Sequence, residues 1–132
     1  MQIESVKMVY FSPTGTTEAV ARGIADGLGP VPVESVDLTR PEARAVPLHT
    51  SGNDLLIIAV PVYMGRVPAL LGDWLDAMRL HDTPVVCVVV YGNRAYENAL
   101  RELTDAIRRR GGIPVAGAAC IGEDSFTDQI GR

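Results

Sequence analysis

The residues best suited to chemistry lie in one short segment, Tyr10-Phe11-Ser12-Pro13-Thr14-Gly15-Thr16-Thr17. It stands where an apolar run gives way to a helical pattern, so the chain must turn sharply there. The turn brings a serine, three threonines and a glycine to the place where backbone amides and a helix N-terminus converge. Such a place binds phosphate by hydrogen bonding and by the helix dipole together. The segment holds no lysine or arginine, and so lacks the cation of a nucleoside-triphosphate loop. The expectation is a phosphomonoester held by neutral donors at Ser12, Thr14, Gly15, Thr16 and Thr17. The same residue types also cap helices for purely local reasons, which leaves an ordinary strand-to-helix turn as the competing reading.

Two other segments could hold the rest of such a ligand. Pro61-Val62-Tyr63-Met64-Gly65-Arg66-Val67-Pro68 offers an aromatic ring, an apolar wall and a glycine turn with exposed backbone groups. Tyr91-Gly92-Asn93-Arg94-Ala95-Tyr96 offers two rings for stacking, a glycine for close approach and a positive charge at Arg94. Taken singly, the first also reads as a loop with a surface tyrosine, and the second as a helix cap at Asn93 with Tyr96 in the core.

The elements that must position these segments are legible in the apolar runs. Met8 to Phe11, Leu55 to Val60 and Val85 to Tyr91 are continuous, without alternation, as strands covered on both faces must be. Weaker runs at Val31 to Leu38 and Ile113 to Ile121 complete a set of five, with Val33, Val36 and Leu38 suggesting an exposed edge. A helical stripe of Val20, Ile24 and Leu28 runs from Thr17 to Gly29-Pro30. A second helix starts with Pro68 as its first residue and presents Leu70, Leu71, Trp74, Leu75 and Met78. A third, capped by Asn93, carries Tyr96, Leu100, Leu103 and Ile107 and ends at Arg108-Arg109-Arg110 before Gly111-Gly112. Between Thr39 and Asn53, Pro41 and Pro47 leave room only for a loop or one short helical turn.

Strands alternating with helices predict an open α/β fold: a parallel five-stranded sheet, order 2-1-3-4-5, with helices on both faces. The second crossover helix is expected to be short or absent and the last helix truncated. One domain over residues 1–132 accommodates this. In that sheet order all three chemical segments follow the carboxyl ends of strands one, three and four, the rim where such sheets bind ligands.

The segment Ser12-x-Thr14-Gly15-x-Thr17 after a hydrophobic strand is similar to the phosphate loop of the flavodoxins. With the segments at Pro61 to Pro68 and Tyr91 to Tyr96, the chain resembles the flavodoxin domain of flavodoxin–ferredoxin fusion proteins. The resemblance implies FMN as cofactor, bound by Ser12, Thr14, Gly15, Thr16 and Thr17 at its phosphate. Pro61, Val62, Tyr63, Met64 and Gly65 with Tyr91, Gly92, Asn93, Arg94 and Tyr96 would then flank its ring. It implies electron transfer to a redox protein partner, an iron–sulfur domain or ferredoxin, with no acid, base or nucleophile required. The runner-up reading is a small NAD(P)H-dependent flavin or quinone reductase, and a third is a flavin-free scaffold binding another phosphate ligand or a protein.

Composition narrows the rest. Hydrophobic residues are 47% of the chain, enough for a proper core. A net charge of −4 gives no electrostatic footprint for nucleic acid or an anionic membrane. The longest apolar stretch, Leu55 to Met64, is about half of a membrane span. Cys87 and Cys120 lack metal-ligand spacing and read as small buried hydrophobes, so no metal site and a reduced, cytoplasmic setting are expected. With so little chain after Ile121 to cover the last strand, the expectation is a homodimer or a longer natural chain.

Overall fold

Five parallel strands form one sheet in the order β2-β1-β3-β4-β5 in the computed structural model, which describes residues 3–92 and 96–122. They are β1 (Ser5–Tyr10), β2 (Val33–Asp37), β3 (Asp54–Pro61), β4 (Thr83–Tyr91) and β5 (Gly112–Ile121). The predicted sheet order is the observed one. Register places Met8 beside Ile57 and Ile57 beside Val86, so apolar residues fall level across the central strands. That is why those strands need no alternation: both of their faces are covered.

One face packs against α1 (Thr16–Asp26), where Val6, Met8, Ile57, Ala59 and Val88 meet Ala21 and Ala25. The other holds Val9, Leu56, Ile58, Val60 and Val89 against α3 (Gly72–Ala77) and α4 (Glu97–Arg109), through Trp74, Leu75, Leu103 and Ile107. Trp74 is core, as its place in the stripe implied, and its indole donates to the Val46 carbonyl. Cys87 is buried in β4, and burial pushes its thiol up to about 12, so it is no thiolate at neutral pH.

The long β2–β3 connection contains only α2, the single turn Pro41–Arg44, as its prolines dictated. Three helix boundaries differ from expectation. α1 ends before Gly27, whose N–H reaches the Gly23 and Ile24 carbonyls, so Leu28 falls outside the helix and is exposed. Pro68 precedes the second helix instead of opening it: a 3-10 turn, Ala69–Leu71, leads into α3, and Leu70 points to solvent. α4 begins at Glu97 with Tyr96 at its N-cap, later than a cap at Asn93 would set it. Leu38 is fully buried, so only the first part of β2 has the exposure predicted for an edge.

β5 is the opposite edge. Its pairing with β4 steps between Val85 and Val86: Val85 lies beside Pro114 and Val86 beside Ala116, leaving Val115 over. Ile113 and Val115 are largely exposed.

Near the start of the sheet, Asp54 joins β3 to β1 by accepting from the Ser5 hydroxyl at 2.6 Å and from the Ser51 N–H at 2.9 Å. Burial works to raise its pKa, but these hydrogen bonds and the charge of Lys7 outweigh it, and the carboxyl lies below the ordinary aspartate range. A depressed folded-state value means stabilisation present above roughly pH 4 and lost as pH falls through the folded value. Urea unfolding of Asp54→Asn should therefore show a shallower loss of stability below pH 4 than the wild type. Parallel acid limbs would show that Asp54 does not contribute.

Candidate functional site

The Ser12–Thr17 loop leaves β1 and enters α1 through Gly15, whose φ of +90° is a left-handed conformation suited to glycine. Ser12 is tied at two points. Its N–H donates to the Thr39 hydroxyl at 2.8 Å, and its own oxygen accepts the Glu18 N–H at 2.9 Å, which caps α1. The Ser12 hydroxyl donates to no acceptor among the described residues. The Thr14 hydroxyl donates to Thr16 Oγ1 at 3.5 Å, which places the two side chains side by side.

The amides of Thr14 and Thr17 donate to no protein acceptor among the described residues. Thr17 is only 3% exposed, yet its hydroxyl is not sealed in: no fully buried side-chain polar atom among the described residues lacks a partner, and the Thr17 hydroxyl makes no bond among them. Below the loop the Tyr10 phenol is held neutral by burial first, then by the charges of Glu18 and Asp37.

Gly122, just past β5, closes the loop's far side. Its N–H donates to the Tyr91 carbonyl, and a Cβ there would strike the Val90 side chain and stand 2.8 Å from Thr16 Cγ2. Sequence reasoning gave Gly122 no role in the site, because the contact joins residues at opposite ends of the chain.

The segment after β3 is a two-residue hairpin. Tyr63 and Arg66 exchange both backbone hydrogen bonds, at 2.8 and 2.9 Å, around Met64 and Gly65, whose φ angles are +52° and +80°. Positive φ at both central positions is the type I′ turn. Gly65 suits it, whereas Met64 adopts it at a steric cost and is 100% exposed at the tip. The Tyr63 ring stands edge-on to Phe11 with centroids 6.3 Å apart, so this turn touches the end of β1. Pro61 and Val62 are half-buried at its base, where the Val62 N–H donates to the Val90 carbonyl.

At the end of β4 the rings of Tyr91 and Tyr96 pack on each other, with centroids 4.6 Å apart. Sequence reasoning offered each for stacking on a ligand and missed this pairing, since neither alone signals the other. Gly92 is exposed with open space around it. Asn93 and Arg94 lie outside the described residues. The fold therefore brings the loops after β1, β3 and β4 to one rim. Among the described residues no group of histidine, cysteine or acidic side chains could hold a metal, and no helix is long and apolar enough to cross a membrane.

A parallel sheet in the order 2-1-3-4-5 with helices on both faces is the flavodoxin-like fold. Solved structures share the fold across nearly the whole chain. An archaeal flavodoxin superposes with a TM-score of 0.70 at 14% identity, covering 94% of this chain and 87% of its own. A flavodoxin from Streptococcus pneumonia TIGR4 gives 0.65 at 18%, covering 95% and 91%. A short-chain flavodoxin associated with a bacterial microcompartment gives 0.64 at 19%, covering 93% and 86%. No curated protein matches the sequence.

Residues 37–126 match the model of the NADPH-dependent FMN reductase family, and the chain belongs to that family. The matched segment includes the turns after β3 and β4 and begins after the Ser12–Thr17 loop.

Proposed function

We propose that this protein binds FMN across the carboxyl ends of β1, β3 and β4 and carries electrons to a redox protein partner, an iron–sulfur protein in the reading we favour. FMN supplies the redox chemistry; the chain supplies binding, orientation and solvent exposure. The observation that carries the reading is the convergence of donors at the start of α1. Among the described residues the Ser12 hydroxyl hydrogen and the Thr14 and Thr17 amides have no protein acceptor, and the Thr14 hydroxyl, which donates to Thr16 Oγ1 at 3.5 Å, stands beside them.

A phosphate dianion suits such a cradle, and the open space around Gly15 leaves room for one. The Tyr63–Arg66 turn and the Tyr91–Tyr96 pair would flank the ring, with Asn93 and Arg94 completing that side. A cytoplasmic setting and a homodimer that covers Ile113 and Val115 belong to the same reading.

Titration of the apoprotein with FMN and with riboflavin, followed by flavin fluorescence, tests it. FMN should bind at least about a hundredfold more tightly, because several charge-assisted hydrogen bonds reach only its phosphate. Equal affinities would sink the cradle.

The family match favours a second reading, a reductase that itself oxidises NADPH. Steady NADPH consumption by the FMN-loaded protein with excess FMN would select it, whereas a single stoichiometric reduction, or none, would select the carrier.

A further inference from the structure

The Met64–Gly65 turn borders an open groove. A groove of about 540 Å³ separates its outer side from Ala69, Gly72 and Leu75 of the 3-10 turn and α3. The turn itself is strained at Met64 and exposed at its tip. What crosses the gap is Glu102, from the second turn of α4. Its Oε1 accepts from Arg66 Nε at 2.9 Å and from the Val67 N–H at 3.1 Å, and its Oε2 accepts from Arg66 Nη2 at 2.9 Å.

One carboxylate thus holds the last residue of the turn and the residue after it. The forked guanidinium contact fixes orientation as well as distance. The hydrogen bond from Arg66, more than anything else, holds the Glu102 carboxyl below the usual range, so it is ionised at neutral pH. Glu102 also belongs to the helix that begins directly after Tyr96, so it links the two ring-side segments.

We propose that Glu102 is a positioning residue: by bracing Arg66 and the Val67 amide it sets where the Met64–Gly65 turn stands against the flavin ring. This rests on the FMN reading above and adds to it a residue that touches neither ring nor phosphate. Losing the brace weakens contacts to the ring while leaving those to the phosphate as they are.

The test compares wild type, Glu102→Ala, Glu102→Gln and Arg66→Ala, each checked for folding by circular dichroism and thermal midpoint. FMN and riboflavin dissociation constants and the midpoint potential of bound FMN are then measured. Glu102→Ala should bind FMN and riboflavin both roughly tenfold more weakly, with their affinity ratio unchanged and the midpoint potential moved. Glu102→Gln, which can still accept from the Val67 N–H, should recover most of the loss, and Arg66→Ala should fall between.

FMN affinity within twofold of wild type in Glu102→Ala and Arg66→Ala would overturn the proposal. So would a falling FMN-to-riboflavin affinity ratio, which marks a general loosening that reaches the phosphate loop. Wild-type protein that takes up neither flavin would instead overturn the FMN reading, and this proposal with it.

Discussion

Gly111→Ala should destabilise the protein by roughly 3 kcal/mol or more, the largest stability effect expected of a single methyl group here. Gly111 follows α4 with a φ of +97°, which costs an alanine about 1–2 kcal/mol in itself. The added Cβ would also land on the Leu80 carbonyl oxygen. That backbone cannot move aside freely, because the Leu80 N–H donates to the Arg110 carbonyl and the Asp82 N–H to the Gly111 carbonyl. The thermal midpoint should drop by on the order of 10 °C. Gly23→Ala provides the contrast: it lies inside α1 with nothing within 4 Å of the new methyl, so it should stabilise by about 0.5–1 kcal/mol. If both alanines shift the urea midpoint alike, the clash at Gly111 is not what matters.

The second large effect is on the cofactor. Ser12→Ala combined with Thr14→Val should lower FMN affinity by about two orders of magnitude and leave riboflavin affinity within about threefold. Each substitution removes a hydroxyl assigned to the phosphate. Ser12→Ala also takes the acceptor from the Glu18 N–H, so about 1 kcal/mol of stability should be lost with it. Parallel losses for the two flavins would mean that the loop supports the fold and does not hold phosphate.

The sheet and its order were legible because strands buried on both faces leave unbroken runs such as Leu55 to Val60 and Val85 to Val90. The reduced second crossover was legible from two prolines. Boundaries were less so. Leu28 continues the stripe of α1 in spacing, but Gly27 ends the helix first; Tyr96 fits the stripe of α4 but stands at its cap. The three rim loops were legible as the segments that follow β1, β3 and β4. Their braces were not: Thr39 to Ser12 and Glu102 to Arg66 join residues 27 and 36 positions apart, and no local pattern announces such partners.

The step in register beside Pro114 bears on how the molecule behaves in a crowded solution. An outermost strand with Ile113 and Val115 largely exposed is a template on which other chains could stack into fibrils. Stacking of that kind needs an uninterrupted comb of amide donors and carbonyls. Here the comb is bent by one surplus residue and lacks a donor at the proline, so the segment with the greasiest rim is also a poor seed for aggregation.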